Sequence, residues 1–236
     1  MAVNNAKNII VGAAPIYISK LDSTDNSYVE NMLDSGTVTL TARTTFVPSS
    51  TYFRNVGFTN NGLQITYNPT YEDVTVDQLL DAAKLFKSAM QVMIMTEMTE
   101  GTLQNTLTVF GQGASTLKKD GSASTDLYPT RGAATNGALD KSLDLGFEAG
   151  ALGAQPTERQ LVAVGQAPTF ALNSAAEEIS ATTERVYYAR KVLSVQQTQF
   201  TLARNTPTTF PVTFRLLPDA RYAGSEYGKI IDRVIA

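Results

Sequence analysis

The stretch VGFTNNGLQITYNPTYEDVTVD, Val56 to Asp77, is where the fold class is first legible. Within it Leu63, Ile65 and Tyr67 alternate with Gln64, Thr66 and Asn68. Successive side chains of a strand point to opposite faces, so the run predicts a strand with an apolar face for a core and a polar face for water. Asn60-Asn61-Gly62 stands just before it and supplies the positive φ of a tight turn, which predicts an antiparallel hairpin there. Val74 and Val76 against Thr75 and Asp77 form a second alternating piece after the bend at Pro69. What the polar face is for is the functional question.

Outward from this stretch the period of two recurs. Thr37 to Phe46 is its most regular instance, with Val38, Leu40 and Ala42 between Thr37, Thr39, Thr41 and Arg43. Ile9 to Ser19 predicts a strand pair with Ile16 and Ile18 as apolar beats, and Leu161 to Val164 a short apolar strand. Val186 to Leu193 and Gln196 to Ala203 predict a hairpin, preceded by a polar loop over Glu177 to Thr183. Thr209 to Leu216 places Phe210, Val212, Phe214 and Leu216 on one face, and the tail carries Ile230, Ile231, Val234 and Ile235. Two segments depart from this pattern. Leu79, Leu80, Ala83, Phe86 and Met90 recur at helical spacing with Asp77 as N-cap, before strand-like Val92 to Met98. Thr99 to Phe110 predicts a second short helix, with Thr99 as cap, Leu103, Leu107 and Phe110 on one face and Gly111 as stop. From Gly111 to Gly153 the chain turns to Gly, Ala, Ser and Thr, read as a long surface loop with a strand at Ser142 to Phe147. The expectation is a mainly β chain, one domain over residues 1–236, with one or two short helices.

Composition narrows the function. The chain has 236 residues, 43% of them hydrophobic, enough for one sizeable core. Only 17% are charged and the net charge is −3, with no dense Lys/Arg cluster beyond short pairs such as Lys118-Lys119. Tight binding of nucleic acid needs many phosphate-neutralising cations, so it is not expected. There is no Cys and no His, which removes disulfides, a thiolate nucleophile, a Ser-His triad and an ordinary zinc site. No enzyme activity, metal or cofactor is expected. Met1 to Ile9 lacks the basic and apolar regions of a signal peptide, and no run approaches a membrane span, so a soluble cytoplasmic product is expected.

The remaining motifs have ordinary readings. Gly111-Gln112-Gly113 before Lys118-Lys119 lacks the spacing of a phosphate-binding loop. The neighbours in Glu72-Asp73 and Glu177-Glu178 point apart on an extended chain and read as solvated turns. Met90, Met93, Met95 and Met98 read as core filling, and Arg185, Arg190, Lys191 and Arg204 as ion-pairing bases on sheet edges.

Several segments, in order, resemble the tail tube proteins of long-tailed bacteriophages. Val56-Gly57-Phe58, Gly62, Gln64 to Tyr67, Pro69 and Val74 to Gln78 are similar to that family's hairpin signature. Glu100 to Gly111 resembles its short helix, and Glu158-Arg159 with Leu161 to Gly165 and Pro168 the strand and turn that follow. Phe210 to Arg215 with Leu217-Pro218-Asp219 resembles its closing strand, and Tyr227 to Asp232 its C-terminal tail. The likeness runs from Val11 to Arg233. It departs at Leu79 to Met90, which lacks the prolines of an extended connection, and at Asp22 to Ser50 and Gly113 to Asn136, which look enlarged.

The resemblance implies a β-sandwich or partial barrel with enlarged loops near 22–50 and 111–141. It implies hexameric rings stacked head-to-tail into a tube of the virion tail, made in the bacterial host cytoplasm. Partners would be further copies of the chain, a tape measure, a tail tip or baseplate and a terminator. Double-stranded DNA would pass through without specific binding, and no membrane would be spanned. Related tubes occur in contractile injection and type VI secretion machines. On this reading Gln64, Thr66, Thr75 and Asp77 are candidate lumen-facing residues on the polar side of the hairpin. The alternative from another class is a monomeric ligand- or glycan-binding β-sandwich module, which the absence of Trp disfavours. A hydrolase working without His ranks last.

Overall fold

The computed structural model describes residues 12, 14–20, 47–48, 50, 52–75, 77, 83–113, 116–119, 122–123, 141–143, 145, 157–167, 182–195, 199–202, 204–205 and 207–235. They form strands β1 (Ile16–Ser19), β2 (Phe53–Asn55), β3 (Thr59–Val74) and β4 (Lys84–Met98), then helix α1 (Leu103–Val109). Strands β5 (Leu117–Lys119), β6 (Ser122–Ala123), β7 (Lys141–Leu143), β8 (Arg159–Gln166), β9 (Thr182–Ser194), β10 (Phe210–Leu216) and β11 (Gly228–Ile235) follow. The protein is mainly β, as the alternation predicts, with one short helix among the described residues. Eight strands make one antiparallel sheet in the order β2-β1-β8-β9-β10-β4-β3, with β11 also paired to β9. Strands β6, β5 and β7 make a small second sheet.

Chain connectivity forces the large sheet to roll. Its two outer strands, β2 and β3, lie six strand spacings apart in the order, about 29 Å if the sheet were flat. Yet only Val56, Gly57 and Phe58 join them, a reach of about 15 Å. The Val56 N–H donates to the Ile16 carbonyl of β1 at 3.0 Å, and the Phe58 carbonyl accepts from the Thr99 N–H just past β4 at 3.0 Å. Gly57 therefore spans almost the whole gap, with φ 85°, a conformation that favours glycine. The sheet curls into a partial barrel around Ile16, Ile18, Val92, Ile94, Met98, Leu161, Val192, Phe210, Val212 and Phe214, which form one buried cluster.

Helix α1 lies between β2 and the end of β9. Thr102 caps it by accepting the Asn105 N–H at 3.2 Å, and Gly111 at φ 65° ends it. The cap is Thr102 rather than the expected Thr99, whose hydroxyl instead donates to the Phe58 carbonyl at 2.9 Å. The buried Arg54 guanidinium donates to Asn105 Oδ1, the Gln104 carbonyl (2.8 Å) and Thr108 Oγ1 (2.6 Å). Asn105 in turn donates to the Val56 carbonyl at 2.8 Å, so the helix is tied to the segment that closes the roll. At the far end Ser194 Oγ donates to the Val109 carbonyl at 2.9 Å.

Strand β11 is held to β9 by crossed charges. Arg185 pairs bidentately with Asp232, Nη2 to Oδ2 at 2.7 Å, and buried Arg233 pairs with buried Glu184. The Arg185 hydrogen bond holds the Asp232 carboxyl below the usual carboxylate range. Arg190 is buried, lies 3.7 Å from the centre of the Tyr222 ring and donates to the Ser225 carbonyl at 2.9 Å. Lys191 pairs with Glu158 at 3.3 Å. Ion pairing is thus found for Arg185 and Lys191, but on β9, which has neighbours on both sides, and not at a sheet edge as expected; Arg204 is exposed.

Several further expectations are corrected. Asn61 and Gly62 do adopt positive φ, 60° and 66°, but they make a bulge inside β3, where the register to β4 shifts, and not a hairpin turn. The helix expected over Leu79 to Met90 is a strand from Lys84 onward, paired with β3; Leu79 and Leu80 lie outside the described residues. Val186 to Leu193 belongs to one long strand that starts at Thr182, within the expected polar loop, and pairs with β8, β10 and β11; residues 199–202 are not strand. Ile65 and Tyr67, expected in the core, are 44% and 57% exposed, Ile65 because β3 is the outer strand of the sheet and Tyr67 because it lies past the end of β10. Met98 is buried as core filling requires, whereas Met90, Met93 and Met95 are half-buried. Glu72-Asp73 is exposed but lies within β3, not in a turn. The predicted strand at Thr37 to Phe46, the Glu177-Glu178 pair and most of Gly113 to Asn136 lie outside the described residues.

Candidate functional site

The feature that stands out is the far half of the β3–β4 pair. Strand β10 accompanies β4 from Met98 to Met93. Past that level β3 and β4 pair with each other, from Tyr67 opposite Val92 to Val74 opposite Lys84. The result is a two-stranded ribbon about 25 Å long. From Lys84 to Ala89 every residue is exposed, and so is every β3 residue from Gln64 to Val74 except the half-buried Pro69.

The ribbon has no polar side. Residues directly opposite in an antiparallel pair share a face. Tyr71 is opposite Lys87 and Asp73 opposite Leu85 on one face; Glu72 is opposite Phe86 and Val74 opposite Lys84 on the other. Both faces therefore carry large apolar side chains: Tyr71 (57% exposed) and Leu85 (62%) on the first, Phe86 (45%) and Val74 (41%) on the second. The Lys87 ammonium lies 6.0 Å from the centre of the Tyr67 ring and donates to Met90 Sδ at 3.3 Å. A two-stranded ribbon is marginally stable alone, so its strands need a further surface to pack on.

The four residues expected on the polar face are all exposed, but they do not form one patch. Gln64 is opposite Met95, which is opposite Thr213; Thr66 is opposite Met93, which is opposite Arg215. These two sit on the outer face of the three-stranded part of the sheet. Thr75 and Asp77 come after the end of β3, about 35 Å further along the ribbon from Gln64. The outer face around Gln64 and Thr66 mixes polar, thioether and single charged groups, with Glu97 receiving hydrogen bonds from Asn60 (3.0 Å) and Asn61 (2.8 Å).

Tyr71, Leu85 and Phe86 were not singled out by sequence as surface residues. The signal for them is the mixed run Tyr71-Glu72-Asp73-Val74, whose apolar residues fall on both parities of the strand. Among the described residues no three acidic side chains are grouped to hold a metal, and no helix is long and apolar enough to cross a membrane. A scan against protein-family models finds no match, and a search of curated proteins finds no similar sequence.

Proposed function

We propose that this chain is a structural, non-enzymatic subunit that self-assembles into stacked hexameric rings, the tail tube of a long-tailed bacteriophage, through which double-stranded DNA passes. The observation that carries the self-assembly is the projecting ribbon, which exposes large apolar side chains on both faces, more than a single copy covers. The number of copies per ring, the DNA conduit and the place in the virion rest on the resemblance of the hairpin, helix, closing strand and tail segments. Outer strands with open edges suit assembly, since a neighbour's strand can extend the sheet. Head-to-tail contacts that close give a ring, and those that do not close give a filament.

On this reading Gln64 and Thr66 remain candidates for the inner wall, because their face is broad, polar and nearly balanced in charge. Such a wall releases few counterions and lets phosphate slide past. Thr75 and Asp77, at the ribbon's end, fit contacts between copies better than a shared wall with Gln64. The competing reading, a monomeric glycan-binding module, draws on the exposed rings of Tyr67 and Tyr71. Negative-stain electron microscopy of the purified chain separates the two. Rings or tubes are expected; a persistent monomer that binds glycans would replace this reading with the other.

A further inference from the structure

The other end of the same strand pair carries an exposed aromatic that is held with unusual firmness. Phe58 is 80% exposed. Its N–H donates to Glu100 Oε1 at 3.1 Å, and its carbonyl accepts from both the N–H (3.0 Å) and the hydroxyl (2.9 Å) of Thr99. The preceding Gly57 N–H donates to Asn55 Oδ1 at 2.8 Å, and a Cβ at Gly57 would displace the Glu100 carboxylate. The backbone is thus fixed on both sides of a ring that buries little of itself. An exposed aromatic whose backbone is already fixed has less entropy to lose on docking, which suits an interface anchor.

This end of the sheet also carries an aromatic cluster and a second exposed apolar side chain. Phe210 is level with Thr59 and Met98 in the sheet, and its ring lies against Gly101. Phe200 stacks on Phe210 at 4.8 Å between ring centres and reaches Phe110 at 6.2 Å. Leu202, in the same loop as Phe200, is 81% exposed.

We propose that this base, with Phe58 as its anchor, receives the ribbon tip of a second copy of the chain. The proposal rests on the self-assembly reading and adds which surfaces meet. Base and tip lie about 45 Å apart at opposite ends of β4. A tip-to-tip contact would saturate in a dimer. A tip-to-base contact leaves each copy with an unused tip or base and so repeats. Area points to a second copy too. The open parts of Tyr71, Val74, Leu85 and Phe86 at the tip amount to roughly 400 Å². With the polar side chains between them, the tip approaches the ~800 Å² that each side of a stable interface contributes. The chain itself offers an apolar acceptor at the opposite pole.

Two exposed-site variants test this, Phe58→Ser for the base and the double change Leu85→Ser with Phe86→Ser for the tip. Each alone is expected to fold, by circular dichroism, and to stop short of tubes. Mixed, they are expected to give a complex containing both chains in equal amounts and of twice the mass of either alone by sedimentation, because one intact tip meets one intact base. Tubes formed by Phe58→Ser at the wild-type level, or a mixture that shows no change of mass, would overturn the tip-to-base contact while leaving self-assembly standing. A wild-type chain that stays monomeric at every concentration would overturn both.

Discussion

Strands β10 and β3 are written in the same code and meet opposite fates. In β10 the alternating Phe210, Val212, Phe214 and Leu216 are all buried, with exposures between 1% and 7%. In β3 the alternating Ile65 and Tyr67 are about half exposed. The difference is neighbours: β10 has β9 on one side and β4 on the other, whereas β3 ends the sheet and outruns β10. Alternation thus fixes which residues share a face. Whether that face is covered depends on strands far away in sequence, and for the ribbon the cover is assigned here to another copy.

The sharpest way to break this comparison is to place the same charge in both regions. Phe214→Asp buries an unpaired ion and is expected to abolish cooperative unfolding. Ile65→Asp can reach water and is expected to cost about 1 kcal/mol in a urea titration. Equal losses at the two positions would show that β3 is covered within one chain. Next in size is Arg233→Met, which takes from buried Glu184 its partner across β9 and β11 and is expected to cost about 3 kcal/mol by the same titration.

A smaller effect is expected from the half-exposed pair on the same strands. Asp232 is held below the usual carboxylate range by Arg185, so its contribution is present above the ordinary carboxyl pKa and is lost as pH falls through the lowered value. Asp232→Asn should therefore melt below the wild type at neutral pH and converge with it well under about pH 4. A gap that persists in acid would assign the effect to packing instead. The smallest effect on the single chain is expected for Phe86→Ser, under about 0.5 kcal/mol in the monomer, together with loss of assembly by sedimentation. A large loss of monomer stability would place Phe86 in a fold-bearing contact.

The core was legible where burial had imprinted it. Ile16, Ile18 and the apolar β10 residues show the period of two because one face is excluded from water, and Leu161 to Val164 is apolar throughout because both of its faces are buried. Lys84 to Ala89 are exposed throughout, so no face was selected and the spacing of Ala83, Phe86 and Met90 was free to match a helix. The positive φ of Asn61 and Gly62 was readable from residue type, but its use in a bulge was not, since only the pairing with β4 separates a bulge from a turn. The tie between Arg54 and Asn105, fifty-one residues apart, leaves no local pattern at all. Of the candidate site, sequence indicated Gln64 and Thr66 as exposed; that Thr75 and Asp77 lie elsewhere depends on how far β3 extends.

Amide hydrogen exchange compared between dissociated and assembled protein tests the central claim most directly. If the ribbon is covered by another copy, amides of Tyr67–Val74 and Lys84–Gln91 should exchange at least about tenfold more slowly on assembly, while those of β10 stay unchanged. Equal ribbon exchange in the two states would contradict the account.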